Sequence, residues 1–317
     1  MILFLLKKAY DYDGTHATSN GLRSSTLFVV DMLLSEGRRA KLVEVVDANS
    51  IDAVVAQLRP EHVVLEALWV TPDKLAELQR LHSTVRWTIR VHSELPFLAQ
   101  EGCAMEWLLA YKNADLAFNS AQTADDMHGV TPAIWLPNYY PLSKPRSEKP
   151  VHQATLQVGC FGAIRPLKNQ LIQAVAALQW AHKLHRPLKF HMNGERVEQR
   201  GSNNLKNIKA LLGDQLVLHP WLPRSEFLEL VAEMDVCMQV SLSESFNIVS
   251  ADAVSMGVPL VGSSAIPWLT RRAQADAGRV DSIVEALERA NRITVFMNHH
   301  ALEDYLTHAK KEWLRYV

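Results

Sequence analysis

"SESFNIVSADAVSMGVPLVGS", residues 243–263, decides how the chain is read. It follows the apolar run "DVCMQVS" (235–241) and ends in a second one, "PLVGS" (259–263), with a helix expected from about Asn247. Gly257 and Pro259 supply the stop, a glycine after the last turn and a proline just beyond. Strand, helix and strand in this order form the repeating unit of a parallel, helix-covered sheet. From Phe246 to Met256 the segment is almost wholly apolar or small, and Asp252, four residues after Ile248, is its only formal charge. Glu244 stands eight positions earlier, just before the helix. A carboxylate inside such a helix costs free energy unless something pairs with it.

The same alternation runs along the chain. "ILFLL" (2–6), "AKLVEVV" (40–46), "HVVLEAL" (62–68), "VRWTIRV" (85–91), "DLAFNS" (115–120) and "AIWLP" (133–137) read as strands. Helical patterns such as "STLFVVDMLLSEG" (25–37) and "TPDKLAELQRLHS" (71–83) lie between them. A proline-rich, charged stretch breaks the rhythm before it restarts with "TLQVGCFGA" (155–163), "LIQAVAALQWAHKLH" (171–185), "LKFHMNG" (188–194) and "LVLHPWL" (216–222). The expectation is α/β: two doubly wound, Rossmann-like domains over 1–140 and 154–298, a linker over 141–153 and a terminal packing helix over 299–317. Ligands of such sheets bind beyond the carboxyl ends of the strands, here expected in a cleft between the domains.

Bulk properties narrow the class. The 317 residues are 48% hydrophobic and 21% charged with a net charge of −1, enough to bury a sizeable core. Balanced charge argues against a generally basic nucleic-acid-coating protein. Cys103, Cys160 and Cys237 are widely spaced and form no CxxC, so they read as reduced thiols of a cytoplasmic protein. "MILFLLKKAY" (1–10) reads as a buried first strand and not as a signal peptide, and no run approaches the ~20 apolar residues of a membrane span. "GCFG" (159–162) is not GxGxxG, no G-x4-G-K-[ST] is present, and the 13 histidines include no HExxH. Nicotinamide, P-loop, metal and serine-hydrolase chemistry are not supported, and no metal or cofactor is expected.

The carboxylates admit two readings each. Asp252 is either half of a buried ion pair or the acceptor for two adjacent hydroxyls of a ribose. Glu244 is either a helix-dipole carboxylate or the acceptor for sugar hydroxyls. N–H groups after Asn247, at the start of the helix, suit a phosphate.

These residues resemble the E-x7-E region of retaining, nucleotide-sugar-dependent glycosyltransferases of the GT-B fold, family 4 type. Ser241, Glu244, Phe246, Ala253, Gly257, Pro259 and Val261 fall in the places of that pattern. Asn247 replaces a glycine, and Asp252 replaces the second glutamate, one methylene shorter. "FGAIRPLKN" (161–169) resembles the family's phosphate-binding segment through Gly162 and Lys168; Ala163 stands where the family has arginine, and Arg165 follows two residues later. His219, Trp221 and Leu222 fall near the loop that touches the nucleobase, where Trp221 either stacks on a base or, the preferred reading, packs. "IRVHSELPF" (89–97) resembles the segment that carries a His-Asp pair: His92 matches, Ser93 replaces Asp, and Glu94 follows. His92 either bonds the sugar and steadies the leaving group or is a satisfied structural histidine. "DYDGTHATSNGLRSS" (11–25) resembles the loop after the first strand, with Gly14, Asn20 and Gly21 as its candidate contacts.

The resemblance implies transfer of a sugar from a UDP- or GDP-sugar to a hydroxyl acceptor, with retention and without a divalent metal. His92, Glu244 and Lys168 are the expected catalytic set. Gly162, Arg165, Ser245, Phe246, Asn247, Ile248, Asp252, Trp221 and Leu222 join Lys168 and Glu244 around the donor. The acceptor stays open between a glycan, a small molecule and a hydroxylated DNA base, the last not favoured by the net charge. Rival readings are a nucleotide-sugar epimerase and a non-catalytic donor-binding subunit, the latter motivated by Ala163, Asn247 and Ser93.

Overall fold

The computed structural model describes residues 1–8, 21–144, 154–198 and 200–317. They divide into two units, Met1–Pro141 with Leu306–Val317, and Leu142–Tyr305. Each unit is built on a six-stranded parallel sheet, which is the doubly wound α/β architecture expected from the sequence.

The first sheet contains β1 (Ile2–Lys7), β2 (Ala40–Val45), β3 (His62–Glu66), β4 (Arg86–Val91), β5 (Asp115–Phe118) and β6 (Ala133–Trp135). Its order is β2-β1-β3-β4-β5-β6, with every pair parallel. Near-continuous apolar strands follow from burial on both faces. Leu3, Leu5, Val63, Leu65 and Ile89 pack on one side, and Phe4, Val64, Val29 and Leu33 on the other. Trp313, near the end of the last helix, joins the second cluster and donates its indole N–H to the Pro137 carbonyl at 2.8 Å. That helix begins at Arg292, upstream of the expected start. Asn291 makes the earlier start, its Oδ1 accepting the N–H groups of Ile293 at 2.9 Å and Thr294 at 3.2 Å.

The second sheet contains β7 (Leu156–Gly159), β8 (Leu188–Asn193), β9 (Leu216–His219), β10 (Val236–Gln239), β11 (Leu260–Ser263) and β12 (Gln274–Ala275). Its order is β12-β11-β10-β7-β8-β9, again all parallel. Val158, Phe190, Met238 and Val261 pack with Ala174 and Ala177 of the helix Gln170–Lys183. β7 lies between β8 and β10, so chain direction across the sheet reverses there, the position at which open α/β sheets bind their ligands. Among the described residues no helix is long and apolar enough to cross a membrane.

The first unit carries a buried histidine with a consequence for its stability. The His62 imidazole pairs with the Thr88 hydroxyl at 2.7 Å, and that hydroxyl meets the Tyr316 phenol at 2.6 Å. Burial, and then the Arg86 cation, push the His62 imidazole down to about 4 from an ordinary 6.5. The unfolded chain therefore binds a proton that the folded one refuses between these two values. The stability from neutral His62 is complete above pH 6.5 and is lost as pH falls toward 4. Melting temperatures measured from pH 7.5 to 4.5 are expected to fall less steeply for His62→Gln than for the wild type over that window.

Candidate functional site

Two loops meet at the reversal point of the second sheet. The loop after β7 turns at Gly162, whose φ of 113° excludes other residues without strain. The Gly162 N–H donates to Asn193 Oδ1 at 2.8 Å. A 3-10 turn, Pro166–Lys168, then presents Lys168. The loop after β10 is tied to it by the backbone, with the Leu242 N–H donating to the Leu167 carbonyl at 2.9 Å. Asn169, left-handed at φ 56°, reinforces the junction through Nδ2 to the carbonyls of Val240 at 3.1 Å and Ala277 at 2.8 Å. These ties bring Lys168 Nζ to 2.5 Å from Glu244 Oε1, with side chains only 12% and 7% exposed. Neither charge is well solvated, so each depends on the other or on a ligand that replaces it.

Asn247 accounts for the departure from glycine. It has φ 64° and ψ 89°, a left-handed conformation that asparagine tolerates better than most residues. From there its Oδ1 accepts the Ser250 N–H at 2.8 Å, capping the helix Ile248–Ser255. Its Nδ2 donates to Gln239 Oε1 at 3.0 Å, while Gln239 Nε2 donates to the Phe161 carbonyl at 2.9 Å. The cap thus engages the Ser250 N–H and leaves the helix entrance to Ile248 and Val249. Ser245 and Ile248 are half-buried beside it. The Phe246 ring is fully buried against Trp268 and Tyr305, so that residue acts as a packing anchor.

Asp252 is answered by a residue the sequence did not single out. Arg224, at the start of the helix Arg224–Ala232, donates through Nη2 to Asp252 Oδ1 at 2.7 Å. The carboxylate side chain is 2% exposed and the guanidinium 30%. The buried ion pair is therefore real, and any ribose hydroxyls must share Asp252 with Arg224. Arg165 is similarly engaged: its Nη1 lies 3.4 Å from Glu198, which also pairs with Arg196 at 2.8 Å. The Arg196 guanidinium in turn covers the half-buried Trp221 ring at 4.7 Å, and the Trp221 N–H donates to Glu195 at 2.7 Å. Leu222 beside it is half-buried. His219 stacks on His191, with ring nitrogens 2.9 Å apart, and burial lowers its basicity.

The first unit contains its own charge cluster at the ends of β3 and β4. Arg90 and Glu66 are fully buried and paired at 3.1 Å, and Glu66 also holds His92 Nε2. Arg90 further donates to the carbonyls of Leu136 at 3.1 Å and Pro137 at 3.0 Å, and to Asn138 Oδ1 at 2.7 Å. Asn119 Nδ2 sits 3.3 Å from His92 Nδ1, so both ring nitrogens of His92 have partners. Burial disfavours the Glu66 charge, but Arg90 and then His92 outweigh it and hold the carboxyl below its usual range. Burial and then Arg90 lower the basicity of His92 against the opposing pull of Glu66. This geometry favours the satisfied-histidine reading of His92 over a proton-transfer role. Gly21 opens the helix Gly21–Ser35 and is exposed, whereas Gly14 and Asn20 lie outside the described residues.

Residues 155–291 match the family model described as Glycosyl transferases group 1. Trehalose-6-phosphate synthase OtsA is similar in structure at 12% identity, covering 99% of this chain and 98% of its own, with a TM-score of 0.73. An E. coli structure described as trehalose-6-phosphate bound with UDP-2-fluoro glucose is 11% identical over 99% of this chain and 98% of that one, at a TM-score of 0.70. Sucrose-phosphate synthase from Thermosynechococcus elongatus is 12% identical over 96% and 94%, at 0.69. No curated protein matches the chain in sequence. The residues matched to glycosyl transferases group 1 fall within the second unit, and the two-sheet architecture is that of GT-B proteins.

Two predictions test the local geometry. Asn247→Gly keeps the left-handed turn, whereas Asn247→Ala loses the cap and strains φ, a cost of about 2–3 kcal/mol. Denaturant unfolding is expected to rank them wild type, Gly, then Ala. Arg224→Ala leaves a buried carboxylate without this cation and should cost about 1–3 kcal/mol. A double-mutant cycle with Asp252→Asn is expected to give a coupling of about 0.5–3 kcal/mol.

Proposed function

We propose that the chain transfers a sugar from a nucleoside diphosphate sugar to a hydroxyl of a small molecule or glycan, with retention of anomeric configuration and without a divalent metal. The observation that carries this reading is the Lys168–Glu244 pair at the reversal point of the second sheet. In the resting chain each group satisfies the other. A donor diphosphate would take Lys168 and release Glu244 to accept the sugar's hydroxyls. Binding would thus exchange one buried pairing for two better suited to the ligand. As the bond between the anomeric carbon and the diphosphate breaks, negative charge grows on the departing oxygen, and Lys168 is placed to stabilise it. The acceptor oxygen bonds to the anomeric carbon on the face that the diphosphate leaves, and its proton passes to the departing group.

Asp252, shared with Arg224, would receive the ribose. The half-buried Trp221 and Leu222 would border the base, and Arg165 would stand behind Lys168. The UDP-sugar analogue in the E. coli relative supports UDP ahead of GDP. The net charge of −1 gives no support to DNA as acceptor. Three free cysteines, with the buried Cys160 thiol pushed up to about 12 by burial and neighbouring Cys237, support a reducing, cytoplasmic setting.

Thermal shift and nucleotide-release assays with UDP- and GDP-sugars test the reading. Lys168→Met is expected to bind UDP at least about tenfold more weakly, the loss of one charge-assisted contact. Glu244→Gln should keep UDP affinity while losing about a hundredfold or more in release of UDP from the sugar donor. Equal UDP affinity in Lys168→Met and wild type would remove the proposed donor site.

A further inference from the structure

The second unit has a cavity of about 560 Å³ that the donor reading does not use. It lies beyond the carboxyl ends of β10, β11 and β12, and Ser241, Ser263, Ser264, Arg271, Gln274 and Asp276 supply its polar lining. Its volume falls in the range of small-molecule sites, roughly 300–1,000 Å³.

Three of the six polar lining residues are fixed by internal bonds. Ser263 Oγ donates to the Ser241 carbonyl at 2.6 Å, Gln274 Nε2 donates to the Leu269 carbonyl at 2.8 Å, and Asp276 Oδ1 accepts the Gly278 N–H at 2.8 Å. Gly262 in β11 lets the floor close: a Cβ there would come within 2.6 Å of Leu269 and 2.8 Å of Ile266. Besides the exposed Ser264, Arg271 and Ser241 stand outside this pattern. The guanidinium of Arg271, exposed on the turn Arg271–Ala273, makes no hydrogen bond or ion pair among the described residues. Ser241 is 1% exposed, yet its hydroxyl has no hydrogen-bond partner, an uncommon state for a buried polar group.

The chemistry of the lining selects a ligand class. A bare anion would use Arg271 but face the Asp276 carboxylate. A neutral sugar would use the hydroxyls, Gln274 and Asp276 but leave the cation idle. A hydroxylated ring carrying one acidic group satisfies all of them, its hydroxyls donating to Asp276 and its anion accepting from Arg271. We propose that this cavity is a binding subsite for an acidic sugar, one bearing a phosphate or a carboxylate. The Ser241–Leu242 floor runs directly into Glu244, so a sugar seated there touches the loop that carries the Lys168 pair. The inference stands on the second unit alone and does not require the proposed donor chemistry.

Calorimetric titration of the full chain with glucose 1-phosphate, glucuronate and glucose tests it. Titrations in the presence of UDP, and again with Lys168→Met protein, keep the donor site out of the result. Saturable binding of at least one acidic sugar, undisplaced by UDP, is expected, with glucose markedly weaker. Arg271→Gln, an exposed substitution that should not disturb folding, is expected to weaken binding at least about tenfold. Preference for glucose 1-phosphate identifies a phosphate ligand and preference for glucuronate a carboxylate; both support the subsite. Absence of binding by either, equal binding of glucose, displacement by UDP or unchanged affinity in Arg271→Gln would each overturn it.

Discussion

Two carboxylates eight residues apart in an otherwise apolar segment must each find a cation, and much of the second unit is organised by that requirement. Glu244 takes Lys168 from the loop after β7, and Asp252 takes Arg224 from the start of a helix. Neither partner is local in sequence. The pairs therefore form only when β7 and β10 lie side by side and the helix Arg224–Ala232 packs against Ile248–Ser255. A charge buried without its partner is strongly disfavoured, whereas a completed pair is close to neutral in stability. Such pairs penalise wrong packings more than they strengthen the right one.

The first unit solves a similar problem more completely. Glu66 and Arg90 are wholly enclosed, and the five hydrogen-bonding positions of the guanidinium are distributed among a carboxylate, two carbonyls and the Asn138 amide oxygen. The Trp313 ring lies 5.0 Å from the guanidinium carbon. The contrast with the Lys168–Glu244 pair is chemical. Lysine is a single compact charge, and Lys168 faces the one carboxylate of Glu244. The arginine is satisfied from several directions and offers a ligand little to improve upon. The same motif, an ion pair beyond strand ends, is thus held from many sides in one unit and by a single contact in the other.

What could be read from the sequence follows from the range of the interactions. The strands were legible because parallel sheets bury both faces and leave long apolar runs, and Gly257 and Pro259 marked the end of a helix locally. β12 was not, since the two residues Gln274 and Ala275 carry no pattern. The start of the last helix depended on a side-chain cap at Asn291, masked by the polar residues around it. Asp252 announced itself as a charge among apolar neighbours, but Arg224 did not, because an arginine at a helix start is ordinary until the tertiary contact is known. Glu66 carried the same signal as Asp252, a carboxylate ending the apolar run "HVVLE", and Arg90 lay within "VRWTIRV". A carboxylate and a guanidinium, each set in an apolar strand, are each other's partner.

Two of the departures from the family pattern are compensated by physical means. A glycine before the helix Ile248–Ser255 would take a positive φ without strain; Asn247 takes one and adds a cap and a bond to Gln239. Aspartate in place of glutamate withdraws the carboxylate by one methylene into the helix, and Arg224 reaches in to meet it. Ala163 is different, since nothing at that position replaces the cation, and Arg165 is drawn toward Glu198. The positive charge at this site therefore rests more heavily on Lys168 than the family pattern implies. Asn247 thus keeps the conformation that the position requires, whereas Ala163 supplies no charge and Lys168 is the cation that faces Glu244.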